Sequence, residues 1–158
     1  MARVRVLMVC LANICRSPMA EAVLRHRAQL AGLGGDVEVD SAGNRPFHPG
    51  GPAHPGTLAE LARRGVDATG LACRGVTAAD FQEFDRILAV DRQNLAQLGR
   101  VGTGRARVDL LLPYGTSGEL DVPDPFLAGG FEHVFELVDD ACRGLLADLQ
   151  ANELARRD

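Results

Sequence analysis

The run Val4-Arg5-Val6-Leu7-Met8-Val9 leads directly into Cys10-Leu11-Ala12-Asn13-Ile14-Cys15-Arg16-Ser17-Pro18, and this junction decides the fold. Val4–Val9 reads as a near-continuous apolar strand of the kind buried on both faces. Beyond Pro18, Met19, Ala22, Val23, Leu30 and Leu33 recur at helical spacing until the Gly32–Gly35 region closes the helix. The order is therefore strand, tight loop, helix. Ser17 suits the N-cap and Pro18 the first helical position, which puts the helix start at the end of the loop. Such a loop aims backbone N–H groups and a helix N-terminus at one point, forming an oxyanion cradle. Cys10 stands at the strand exit and Arg16 returns over it. A thiolate and a guanidinium sharing an anion site suggest a nucleophile that attacks a bound phosphate. Chance readily supplies a Cys-x5-Arg spacing in an Arg-rich chain, so the strand–loop–helix context carries the weight. The other reading of Cys10 is an inert core thiol, which needs no Arg over it.

Outward from this junction the chain alternates strand and helix. Val37–Val39 is a second short strand, followed by a Pro/Gly-rich loop from Asn44 to Gly56 and a helix over Thr57–Arg64. Thr77 reads as the N-cap of a short helix. Arg86–Val90 is a third strand, with Asp91 or Asn94 opening the next helix. Val108–Leu112 is a fourth. A long loop from Pro113 to Gly130 precedes the clearest helix, which carries Phe131, Val134, Phe135, Val138, Cys142, Leu145 and Leu149 on one face. Four strands interleaved with helices predict an α/β fold: a single-domain three-layer sandwich spanning residues 1–158, with a four-stranded parallel sheet covered by helices on both faces and a phosphate-binding loop after the first strand. Ligands of such sheets bind beyond the carboxyl ends of the strands. The loop after the fourth strand reaches that same edge and carries Val122-Pro123-Asp124-Pro125-Phe126. By local physics Asp124 reads equally as a turn aspartate or as a functional acid held on a stiff backbone.

Composition narrows the chemistry. The 158 residues carry a net charge of −4, and all 17 Lys-plus-Arg positions are Arg. Without lysine there is no Walker-type nucleotide loop, no Schiff-base enzyme and no lysine general base. Interspersed charges give no polybasic surface for nucleic acid or membrane. Met1–Arg5 lacks the pattern of a signal peptide, and no stretch reads as a transmembrane span. The four cysteines, Cys10, Cys15, Cys73 and Cys142, form no CxxC pair, which favours a cytoplasmic protein. Cys142 falls on the apolar stripe of the last helix, and Cys73 carries no signal of its own. His26, His48, His54 and His133 show no ligand spacing with these cysteines, so no metal and no cofactor is expected.

The segment Val9–Pro18 resembles the signature of the low-molecular-weight protein tyrosine phosphatases. Asp40-Ser41-Ala42-Gly43, Asp80-Phe81, Asp91-Arg92-Gln93-Asn94 and Asp124-Pro125-Phe126 follow in that family's order and rough spacing, so the resemblance spans nearly the whole chain. It implies a metal-independent phosphatase with Cys10 as nucleophile, a phosphocysteine intermediate, and Arg16 gripping phosphate oxygens in a fork. Backbone amides of Leu11, Ala12, Asn13, Ile14, Cys15, Arg16 and Ser17 would bind the phosphate or a sulfate in its place. Ser17 resembles the hydroxyl that serves the thiolate, and Asn13 the residue that braces the loop. Asp124 would be the general acid and then the general base. Leu11, Phe47 and Phe126 would wall a slot for a phosphotyrosine of a protein or peptide substrate. Ile14 resembles the tyrosine-directed branch, where phosphoarginine-directed members tend to carry Thr. Cys15 would trap oxidised Cys10 as a reversible disulfide.

Several positions depart from the family pattern. Ala12 stands for a usual Gly, His54-Pro55-Gly56 for an Asp-x-Arg, and Leu71 for a common His. Phe126-Leu127 replaces a frequent Tyr-Tyr, which removes phosphorylation of that loop as a control. Two rivals remain in view. Arsenate reduction needs two further mobile cysteines, for which Cys73 and Cys142 are poor candidates. A non-catalytic anion or thiol sensor has no use for a distant acid.

Overall fold

The structure is a computed structural model and describes residues 3–154. Four strands, β1 (Val4–Cys10), β2 (Val37–Gly43), β3 (Arg86–Ala89) and β4 (Arg107–Leu110), form one parallel sheet in the order β2-β1-β3-β4. Among the described residues six α-helices accompany it: α1 (Arg16–Leu30), α2 (Pro55–Arg63), α3 (Asp80–Glu83), α4 (Arg92–Val101), α5 (Pro125–Ala128) and α6 (Phe131–Leu149). The alternation of β1 explains its near-continuous apolar sequence, which only Arg5 interrupts. Val4, Val6, Met8 and Cys10 enter a core shared with α1 and α6, whereas Leu7 and Val9 enter one built with Phe81, Phe84, Ile87 and Leu98. The expected α/β sandwich with helices on both faces is the fold observed.

The sheet's strand order places the site. The chain leaves β1 to form β2 on one side and later β3 on the other, which opens a crevice at the carboxyl end of β1. There Cys10 pairs in register with Gly43, bringing Ser41 and Ala42 beside the loop. A side chain on Gly43 would meet the Leu11 carbonyl oxygen at 2.8 Å and Asn13 at 3.0 Å, so this close approach requires glycine.

Some boundaries differ from expectation for local reasons. Helix α1 begins at Arg16 with Cys15 at its cap position, and no side chain caps it. Ser17 lies inside the first turn because its hydroxyl is engaged by Cys10 rather than by the helix. Thr77 does not cap α3; the Asp80 carboxylate instead accepts from the Thr77 N–H at 2.8 Å, held by a two-point pair with Arg74. Asp91 is the residue that caps α4, accepting from the Asn94 N–H at 2.7 Å. Strand β2 runs on to Gly43, four residues beyond the expected Val39, because register with all of β1 carries it there. Strand β4 stops at Leu110, and Leu112–Tyr114 forms a 3-10 turn. The following loop contains the one-turn helix α5, absent from the sequence reading because four residues show no periodicity. Cys142 is fully buried, as its place on the α6 stripe implied.

Candidate active site

The loop from Cys10 to Arg16 is held from outside by its carbonyls. Cys10 O accepts from Asn44 N, Leu11 O from Arg45 N, Ala12 O from Phe47 N and Ile14 O from His54 N, at 2.7–3.0 Å. Cys15 O accepts from the Thr57 hydroxyl at 3.0 Å. In a planar trans peptide the N–H points opposite to the C=O. Anchoring these carbonyls outward therefore turns the amides of Leu11, Ala12, Asn13, Cys15 and Arg16 inward. One inward amide has a partner that marks the focus: Asn13 N–H donates to Cys10 Sγ at 3.3 Å.

Asn13 locks the loop and sets proton positions beneath it. Its φ of 56° is left-handed, the only such non-glycine among the described residues, and asparagine tolerates that region. Its Oδ1 accepts from the backbone N–H of Arg74 at 2.8 Å, a group that can only donate, which fixes the amide's orientation. Its Nδ2 then donates to Ser17 Oγ at 2.8 Å and Ser41 Oγ at 3.0 Å. Each hydroxyl keeps a proton to give elsewhere. Ser41 donates to Glu21 Oε1 at 2.7 Å. Ser17 lies 2.9 Å from Cys10 Sγ and 3.4 Å from Ala42 O. With a thiolate at Cys10, Ser17 donates to sulfur; with a thiol, the S–H donates to Ser17, whose proton then turns to Ala42 O. Burial pushes the Glu21 carboxyl above its ordinary range, partly offset by hydrogen bonds from Ser41 and Arg25. Ser41 and Glu21 were missed as site residues; Asp40-Ser41-Ala42-Gly43 was visible as a motif, but its contact with the loop depends on strand register.

Arg16 is buried, and its Nη1 is anchored at 2.8 Å to Asp91 Oδ2 and at 2.9 Å to the Val122 carbonyl. Its Nη2 lies 3.8 Å from Asp124 Oδ2. Asp124 Oδ1 accepts from Phe126 N–H at 3.1 Å, so the acid also caps α5. Here the turn aspartate and the functional candidate are the same residue. A cavity of about 220 Å³ is lined by Cys10, Leu11, Ala12, Ile14, Cys15, Arg16, Phe47, Asp124 and Phe126. The structure thus gathers Cys10, Arg16 and Asp124 with all three expected wall residues, while the side chains of Asn13 and Ser17 sit behind the loop. Phe47 and Phe126 face each other with ring centroids 6.1 Å apart. Ala12 has no left-handed backbone, so the loop accepts its Cβ. Burial, then the charges of Asp124 and Cys10, push the Cys15 thiol up to about 12. Cys73, silent in the sequence, packs with Ile14 and Cys15 and hydrogen-bonds Ala12 O at 3.4 Å. Among the described residues no group of three or more His, Cys, Asp or Glu is placed to hold a metal ion.

Comparison with known proteins places the chain in a family. The model of the family described as low molecular weight phosphotyrosine protein phosphatase matches residues 5–155. The chain belongs to the low-molecular-weight protein-tyrosine-phosphatase family. It is 46% identical over 151 residues to a low molecular weight protein-tyrosine-phosphatase of Streptomyces coelicolor, covering 90% of this chain and 92% of the relative. It is 42% identical over 150 residues to the low molecular weight protein-tyrosine-phosphatase YfkJ of Bacillus subtilis, covering 93% and 96%. The crystal structure of YfkJ superposes with a TM-score of 0.92 at 40% identity, covering 97% of this chain and 98% of that one. A protein tyrosine phosphatase of Entamoeba histolytica, with Hepes in its active site, superposes at 0.89 with 32% identity, covering 95% and 99%. Among the described residues no helix is long and apolar enough to cross a membrane.

Proposed function

We propose that this member of the phosphatase family hydrolyses phosphotyrosine in proteins or peptides through a phosphocysteine on Cys10. One observation carries the reading: a single cavity holds the Cys10 sulfur, inward-turned loop amides, a guanidinium anchored on one edge, and a carboxyl 3.8 Å from that guanidinium. Nη1 of Arg16 is committed to Asp91 and Val122, which leaves Nε and Nη2 as the fork for two phosphoryl oxygens. The Cys10 thiolate attacks phosphorus in line while the phenolate departs toward Asp124, which supplies the proton. The loop amides and Arg16 stabilise the charge on the equatorial oxygens, the work that cations do in metal-dependent phosphatases. In the second half Asp124 takes a proton from water, water attacks phosphorus, and sulfur leaves as a thiolate hydrogen-bonded by Ser17 and the Asn13 N–H. The slot between Phe47 and Phe126 suits a flat phosphophenol and leaves a short phosphoserine away from sulfur. Cys15 lines the same cavity and is the partner we assign to oxidised Cys10 in a reversible disulfide. We place the enzyme in the cytoplasm.

The test is turnover of p-nitrophenyl phosphate in chelator, comparing wild type with Cys10→Ser and Asp124→Ala, followed by phosphotyrosine against phosphoarginine peptides. Metal-independent turnover, abolished in the first variant and strongly reduced in kcat in the second, with preference for phosphotyrosine, is the expected result. Phosphate binding without turnover by wild type refutes it in favour of a sensor.

A further inference from the structure

His54, where the family pattern has a different residue, sits at a junction that the catalytic scheme does not use. Its backbone N–H holds the Ile14 carbonyl at 2.7 Å, tying it to the phosphate loop. Its Nδ1 accepts from the Gly56 N–H at 2.9 Å and caps α2. Its ring lies between two others, stacked on Phe131 at 5.2 Å and edge-on to Phe126 at 5.7 Å. Glycine at 56 belongs to the same arrangement, because a Cβ there would stand 2.4 Å from the Phe131 ring. His54 and Gly56 together therefore make the seat on which Phe131 and Phe126 rest.

Phe126 belongs to α5, a four-residue helix too short to hold its own place. Asp124 is fixed to this turn by its bond to the Phe126 N–H. The turn is also tied to the loop by the Phe47–Phe126 contact and by the 3.8 Å Arg16–Asp124 pair, and a substrate phosphate competes for that guanidinium. Once phosphate occupies Arg16, the ring contacts of Phe126 with His54 and with Phe47 keep the acid over the leaving group, and His54 makes the nearer of the two.

We propose that His54 is a positioning residue for the general acid, acting through its ring on Phe126 and hence on Asp124. This rests on the assignment of Asp124 as acid, and the experiment separates the two. The readout is kcat/KM for phenyl phosphate, whose leaving group needs a proton, against p-nitrophenyl phosphate, whose leaving group needs it far less. His54→Asn keeps a cap acceptor and loses the ring; His54→Phe keeps a ring and loses the cap. The expected result for His54→Asn is a fall of about fivefold to tenfold on phenyl phosphate, the scale of one aromatic contact, and less than about twofold on p-nitrophenyl phosphate. His54→Phe restores the wild-type ratio. Phe131→Leu, which withdraws the ring beneath His54 without touching the cap, shifts the ratio in the same direction as His54→Asn. Asp124→Ala lowers the ratio more than any of these, and adding His54→Asn to it changes the ratio no further. If His54→Asn and Phe131→Leu leave the ratio unchanged while Asp124→Ala lowers it, the positioning role is wrong and the acid assignment stands. A His54→Phe ratio as low as that of His54→Asn, or lower, overturns the ring-based role. If Asp124→Ala itself leaves the ratio unchanged, the acid assignment falls and takes the role of His54 with it.

Discussion

Replacing Asn13 with alanine removes three hydrogen bonds, two of them buried, and the side chain best suited to a left-handed backbone in one change. Each bond contributes about 1 kcal/mol net, giving about 3 kcal/mol. Alanine at a φ of 56° adds about 1 kcal/mol more. The expected loss is thus about 4 kcal/mol, which for a chain of this size lowers Tm by roughly 10 °C. Asn13→Gly loses the same bonds without the backbone strain and should be more stable than the alanine variant by about 1 kcal/mol. Asn13→Asp keeps the shape but presents acceptors to both hydroxyls. Ser17 would then donate to the carboxylate instead of to Cys10, so kcat falls while most of the stability remains. Urea denaturation with matched m-values measures the first two effects, and p-nitrophenyl phosphate turnover the third. An alanine variant within 1 kcal/mol of wild type, or a glycine variant less stable than it, would refute the reasoning.

Three further outcomes are expected. Gly43→Ala drives a Cβ to within 2.8 Å of the Leu11 carbonyl and should cost about 1–3 kcal/mol in denaturation, with a loss of phosphate affinity measured by calorimetry. Arg16→Lys removes the anchor to Asp91 and the two-pronged grip, so kcat/KM for p-nitrophenyl phosphate should drop at least about 100-fold; a fall under tenfold would discount the fork. The raised Cys15 thiol stays neutral as pH rises until about 12, leaving roughly one part in ten thousand as thiolate at pH 8. Iodoacetamide at that pH should therefore label Cys10 and spare Cys15, with Cys15 labelling rising only in strong alkali; peptide mass mapping reads both.

The buried central strand and the loop after it were legible because a strand covered on both faces is apolar at nearly every position, with Arg5 the one exception in β1, and because Cys10 and Arg16 bracket a loop between two recognisable elements. The acid was legible only in part. Asp124 beside two prolines looks the same whether it caps a turn or faces a cavity, and the structure has it cap α5 within reach of Arg16. Ser41, Glu21 and His54 act through partners far away in the chain, set by strand register or by packing between α2 and α6, and no local spacing announces such contacts. Ser17 misled for a related reason: its propensity to cap was real, but the nearby sulfur took its hydroxyl.

The most direct test of the central claim is to quench the enzyme in acid during turnover of p-nitrophenyl phosphate and locate the phosphoryl group by peptide mass mapping. The account predicts a phosphoryl group on the Cys10 peptide, more abundant in Asp124→Ala, where water is no longer activated, and absent in Cys10→Ser. Turnover with no phosphoryl group on Cys10 in wild type or Asp124→Ala, or with the group on another residue, would contradict it.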